Sequence, residues 1–256
     1  MKIDDPTPKT ILDHLEDLRW VLIKAAGAFA IAAGLGLVFT KQLLVFLYEP
    51  LVLDKQNPTD FLKVLSPTDP LSIQINLSLM GGLIVSLPFI LWFVAQFILP
   101  ALTRREARAI LPAFAAGAIL FAGGVAFCYF LILPQTIHWF IKYNEYFGFQ
   151  TSWTASNYID FTLQMLLAFG VSFEMPLVLL VLILLGIVKS ATLANYRRHA
   201  FLGIVVLACC VVPATDPFSL GMLVLPMYLL FEATIWIGRA LERRKEAAQA
   251  WPTGPQ

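Results

Sequence analysis

Six apolar runs limit what this chain can fold into. They fall at about 20–40, 71–99, 110–133, 158–186, 201–212 and 218–238, with short polar stretches between them. A bilayer core about 30 Å thick needs about 20 apolar residues per helix. Lipid also forces every backbone polar group to find its partner within the protein, which leaves helices or a closed barrel. Runs of this length select helices. The expected fold is an all-α membrane protein with six transmembrane helices in one domain, 1–240, in which helices five and six are short. The tail, 241–256, reads as solvated, and it is expected to be cytoplasmic and disordered. Run five is short enough for a re-entrant segment, but the tight turn "PATDP" after it and the charge pattern favour a crossing.

The basic residues orient the bundle. The N-terminal segment, the loops at 100–109 and 186–200, and the tail together hold fourteen of the 18 Lys and Arg; the intervening loops hold four. Cytoplasmic loops carry the excess of Lys and Arg, so the alternation puts both termini in the cytoplasm with an even number of spans. In the far-side segment 134–157, Trp139, Phe140, Tyr143, Tyr146, Phe147 and Trp153 cluster as an interfacial belt does. The "A-x-A" patterns near the N-terminus lie inside the first apolar run, not after it, so that run reads as a retained span and not a cleaved leader.

Composition excludes several classes of function. Only 14% of the residues are charged, against about 25% in a soluble domain. A net charge of +1 lacks the basic patch that nucleic acid requires. The three cysteines, Cys128, Cys209 and Cys210, lie in apolar runs and form neither a disulfide framework nor a metal pattern. No phosphate-binding loop, zinc-protease motif or nucleophile elbow is present. No enzyme, cofactor or metal site is expected. The pairs Gly81–Gly82 and Gly123–Gly124 lie within apolar runs, where small residues allow close helix approach.

Against this background a few charged residues stand out. Glu174, in "AFGVSFEMPLVLL", sits near the middle of the fourth run, two residues before Pro176. An ionised carboxylate at that depth costs about 2.5–3.5 kcal/mol on insertion scales, while the proline removes a backbone donor. Together they predict a polar notch in an apolar wall. The N-terminal stretch "TILDHLEDLRW" places Asp13, Glu16 and Asp17 on one side of an amphipathic turn leading into span one, with Arg19 at the interface. Capping needs one acid; three concentrate negative potential and point to a cationic partner. Glu106, in the first cytoplasmic loop, taken alone reads as a partner of a helix N-terminal dipole. Glu232 reads as a paired or snorkelling acid, and Asp216 as turn chemistry.

"HLEDLR", "LSPTDP", "FILPALTRRE", "FCYFLILP", "AFGVSFEMP" and "LPMYLLFE", in that order, resemble the motifs of the TatC family, the polytopic core of the twin-arginine protein translocase, over about 10–240. The resemblance implies a cupped, glove-like six-helix bundle. It implies a receptor for twin-arginine signal peptides and the core of a complex that exports folded proteins, driven by the proton-motive force. It also implies a bacterial inner-membrane location ahead of a thylakoid one. On this resemblance the signal-binding positions are Asp17, Arg19, Phe97 and Glu106. Glu174 matches an intramembrane contact position, and Pro50, Tyr129 and Asp216 match positions on or near the far side. The implied partners are single-span TatA-like and TatB-like subunits in a hetero-oligomer with several copies, the signal peptides of folded cargo, and membrane lipids. Two departures stand in "HLEDLRWV": Asp17 is where the family usually has Glu, and Trp20 and Val21 are where it often has basic residues.

Two other classes remain from the residues alone. A proton-coupled small-solute transporter would use Glu174 as relay, but carriers usually face several polar groups across the spans, and here few besides Gln164 lie at depth. An intramembrane enzyme lacks a paired nucleophile and base.

Overall fold

The computed structural model describes residues 11–53, 61–98, 104–149, 153–211 and 217–250, with side chains over 15–51, 61–98, 112–149, 153–210 and 217–243. Helix α1 (Ile11–Val38) turns at Phe39 into α2 (Thr40–Leu53), and the Thr40 hydroxyl closes the joint by donating to the carbonyls of Gly36 (2.9 Å) and Leu37 (2.8 Å). After β1 (Leu62–Lys63) come α3 (Asp69–Ile98) and α4 (Arg104–Phe127). A π-helical turn, Cys128–Ile132, joins α4 to α5 (Leu133–Tyr146). Next are β2 (Trp153–Thr154), α6 (Ala155–Ser172) and α7 (Met175–Leu184). The chain ends with α8 (Ser190–Asn195), α9 (Arg197–Val211) and α10 (Pro217–Ala250). A short parallel pairing of β1 with β2, Leu62 against Trp153 and Lys63 against Thr154, was not foreseen in the sequence.

Five helical stretches among the described residues are long and apolar enough to cross a membrane: Leu15–Val38, Asp69–Ile98, Pro112–Tyr146, Ala155–Leu184 and Pro217–Arg243. They match five of the six apolar runs, the run at 201–212 not being among them, and three have a structure the runs did not reveal. The third passes through the π turn. Pro134 has no N–H to offer the carbonyl four residues back, and the Leu133 amide bonds Cys128 instead, in the wider i→i+5 pattern. The fourth breaks at Phe173–Glu174, just before Pro176. The fifth runs on past the end of its apolar run at 238. It belongs to the longest helix among the described residues, 34 residues to Ala250, or about 51 Å at 1.5 Å per residue. The residues beyond Arg239, "ALERRKEAAQA", are strong helix formers, and Glu242 is tied to Ser190 by accepting from both its amide and its hydroxyl. Helix α9, at 15 residues, spans about 22 Å and is short, as expected.

The packing is antiparallel and close where glycine allows it. A Cβ on Gly82 would lie 2.7 Å from the Ala33 backbone, and one on Gly36 3.0 Å from Ser78. A Cβ on Gly124 would lie 2.7 Å from the Phe173 ring. Their sequence neighbours Gly81 and Gly123 meet nothing within 4 Å, so one member of each pair makes the approach. The main core joins Tyr129, Ile132 and Leu133 with Met165 and Phe169 of α6, Ile204 of α9, and Leu223, Met227 and Phe231 of α10. A second cluster beneath α2 holds Leu47, Leu51, Phe61, Ile137 and Tyr158. Trp139 stacks on Phe218 (5.5 Å), which places the start of α10 at the α2 end. The Ser190–Glu242 contact places its last turns at the opposite end.

Candidate functional site

At the end opposite α2, the antiparallel register of α1 and α3 carries the argument. Gly36 meets Ser78 and Ala33 meets Gly82; continued toward the N-terminus, that register brings Asp17 level with Phe97. Asp17 is half-buried, Arg19 is exposed and Phe97 is half-buried. Helix α4 begins at this same end with Arg104. Glu106 lies in its first turn, and its side chain falls outside the described residues. Asp17, Arg19 and Phe97 therefore share one end of the bundle with the helix turn that carries Glu106.

Glu174 occupies the break between α6 and α7. Its amide reaches back to the Val171 carbonyl (3.0 Å), and its own carbonyl accepts from Val178 (3.1 Å). The residue is 7% exposed. Neither carboxylate oxygen has a hydrogen-bond partner among the described residues. The predicted notch exists, but it is shut: the carboxylate lies against Gly117 of α4, where a Cβ would be 3.0 Å from Oε2. The open cavities lie elsewhere. One of 290 Å³ is lined by Phe46, Pro88, Phe121, Tyr129 and Phe130. Another, of 510 Å³, lies between α1 and α3 over Ala32, Gly36 and Gly82.

The structure gives Pro50 and Tyr129 a shared physical reason. Both are buried. Pro50 lies inside α2 and has no N–H for the carbonyl four residues back, that of Phe46. The Tyr129 hydroxyl supplies the missing donor at 2.6 Å, with Glu49 Oε2 3.1 Å from the same oxygen. The Tyr129 ring stacks on Phe46 with centroids 4.2 Å apart. One residue on, the buried Tyr158 hydroxyl donates to the Leu47 carbonyl at 2.8 Å. Two successive carbonyls of α2 are thus fastened by tyrosines of the π turn and α6. Within "LSPTDP", the Asp69 carboxylate accepts from the amides of Leu65 (3.1 Å) and Ser66 (3.0 Å), fixing the entry to α3. Asp216 lies outside the described residues.

With this geometry in place, comparison with known proteins is decisive. The profile of the family "Sec-independent protein translocase protein (TatC)" matches residues 13–226. This chain belongs to the TatC family. The Sec-independent protein translocase protein TatC of Aquifex aeolicus is 34% identical over 240 residues, covering 93% of this chain and 98% of the relative. The chloroplastic relative of Arabidopsis thaliana is 32% identical, covering 92% and 68%. A crystal structure of the twin-arginine translocase receptor TatC superposes with a TM-score of 0.75 at 33% identity, over 89% of this chain and 98% of that one. A second, in the detergent DDM, gives 0.76 at 34% over 88% and 99%.

Some ties in this TatC-family chain were not found from sequence. Glu232 pairs not with Arg239 on its own helix but with Arg197, 35 residues earlier at the start of α9. Nη2 donates to Oε2 and Nε lies near Oε1, both at 2.8 Å, while Tyr228 donates to Oε1 at 3.2 Å. Tyr158 carried no charge or motif to mark it. Its only signal was its position in the apolar run, where a tyrosine needs a hydroxyl partner.

Proposed function

We propose that this chain is the receptor for twin-arginine signal peptides and the core of a translocase that exports folded proteins. The observation that carries this reading is the match, along nearly its whole length, to the twin-arginine translocase receptor. In the proposed arrangement six spans cross a bacterial inner membrane with both termini in the cytoplasm. Asp17 and Glu106 each take one guanidinium of the arginine pair. Arginine is a planar, permanently charged fork that engages a carboxylate through two parallel bonds; lysine is a point charge without that fork. Arg19 and Phe97 border the pair, and the apolar part of the signal lies along the bundle. Glu174 offers a polar contact to a partner helix within the membrane. The proton-motive force supplies the energy, in keeping with a sequence that carries no phosphate-binding loop. TatA-like and TatB-like single-span subunits supply the rest of the path, because six helices are too few to pass a folded cargo.

The test is co-purification of the membrane-embedded chain with a tagged precursor carrying Arg-Arg or Lys-Lys in its signal. The Arg-Arg precursor is retained and the Lys-Lys precursor is lost. Equal retention of both would remove the guanidinium pairing from the account.

A further inference from the structure

Glu174 has no partner within the described chain although it is almost fully enclosed. Buried polar atoms in native proteins are nearly always hydrogen-bonded, and an exception calls for a reason. The reason lies in what encloses it. Gly117, Phe121 and Gly124 fall three and four residues apart on one face of α4 and mesh with the broken helix opposite. A Cβ on Gly117 would meet Glu174 Oε2 at 3.0 Å and the Leu177 side chain; Cγ of Leu177 lies 3.4 Å from that position. A Cβ on Gly170 would meet the Phe121 ring at 2.6 Å, and one on Gly124 would meet Phe173 at 2.7 Å. The lid over the carboxylate is therefore bare α4 backbone on one side and Leu177 of α7 on the other.

Helix α7 has a joint at each end. At its start Phe173 and Glu174 keep right-handed helical dihedrals but the hydrogen-bond ladder is interrupted: the Glu174 amide reaches only to Val171, and Pro176 cannot donate to the carbonyl of Ser172. At its end Gly186 takes φ 72°, a left-handed turn that favours glycine. Between the joints lie only 10 residues, all apolar. Such a segment has few hydrogen bonds of its own to lose in pivoting at its start, while its far end is held by Ile183 against Gly238 of α10.

We infer that α7 is a shutter over Glu174: it closes the carboxylate against Gly117 at rest and parts from α4 there to present it to a hydrogen-bond-donating side chain on an apolar partner helix. This rests on the reading of Glu174 as a partner contact. Gly117 and Leu177 are then positioning residues. Gly117 sets how deeply the carboxylate is closed in, and Leu177 must leave before any donor arrives.

The test uses the assembled translocase with the native cysteines replaced (Cys128→Ala, Cys209→Ser, Cys210→Ser) and a new pair, Gly117→Cys with Leu177→Cys. A sulfur at 177 takes the Cγ position and lies within bridging reach of 117. Oxidation locks α7 on α4. Signal-peptide crosslinking persists while export falls about tenfold or more, as for a gated step, and reduction restores it. Equal export by the oxidised and reduced forms overturns the shutter. If the pair prevents assembly, carbodiimide labelling of Glu174 in the unaltered translocase decides. Labelling that rises when precursor engages supports the shutter; labelling that is the same at rest and engaged overturns it. Glu174→Ala, run alongside, separates this from the reading beneath it. If that variant exports normally, the partner contact itself falls; if it fails while the locked pair exports, the shutter alone falls.

Discussion

The fastening of α2 can be tested by removing one oxygen atom. Tyr129→Phe keeps the ring stacked on Phe46 but deletes the hydroxyl that reaches the Phe46 carbonyl at 2.6 Å. That carbonyl then has no donor, because Pro50 occupies the position four residues on. An orphaned, partly buried carbonyl costs about 1–2 kcal/mol. Pro50→Ala returns an amide to that position, and the α-helical bond from 50 to 46 then forms. In that background Tyr129→Phe costs only about 0.5 kcal/mol, the ordinary net worth of a hydrogen bond whose partner is satisfied elsewhere. The coupling is therefore about 1 kcal/mol, beyond the roughly 0.3–0.5 kcal/mol within which independent substitutions add. Denaturant unfolding of the four detergent-solubilised forms measures it. If Tyr129→Phe costs the same with proline or alanine at 50, the hydroxyl is not standing in for the missing amide.

Three further outcomes follow from named contacts. Gly124→Ala drives a methyl to 2.7 Å from Phe173 and 2.9 Å from the Phe169 carbonyl, and overpacking of this kind costs about 1–3 kcal/mol. Gly123→Ala, which meets nothing within 4 Å, is neutral or gains up to about 1 kcal/mol from helix propensity; equal unfolding midpoints for the two variants would contradict the packing described. Signal-peptide affinity falls as ionic strength rises, since exposed charge pairs are screened, and a flat titration would speak against carboxylate pairing. Glu174→Ala leaves peptide crosslinking near the unaltered level and lowers export; loss of crosslinking at the first step would mean that the intramembrane acid belongs to the peptide site.

The spans were readable from sequence because hydropathy over 20 or so residues is a one-dimensional property. Residues such as Ile132, Leu163 and Met227 needed only to be apolar and in phase. What was not readable depends on register between helices distant in sequence. Glu174 beside Pro176 announced a polar notch, yet nothing in the fourth run says that Gly117, 57 residues earlier, closes it. The Gly81–Gly82 and Gly123–Gly124 pairs announced close approach, but adjacent residues point about 100° apart on a helix, and only the tertiary packing picks one. Glu232 had Arg239 on its own helix as the obvious partner; Arg197 became available when α9 folded back along α10. The helix through the tail to Ala250 has a local reason that charge alone does not show. Its charge reads as solvated, and a solvated segment of Glu, Arg, Lys and Ala is also a good helix once a preceding span nucleates it. Among the site positions, Pro50 and Tyr129 were named by resemblance alone, and the missing amide that links them emerged only with the fold.

The proposed receptor mechanism stands or falls on Asp17 and Glu106 acting together. Photocrosslinking of a twin-arginine signal peptide to the chain carrying Asp17→Ala together with Glu106→Ala measures it most directly. The account predicts that the crosslink disappears while the protein remains folded and inserted. A crosslink of undiminished yield would contradict it.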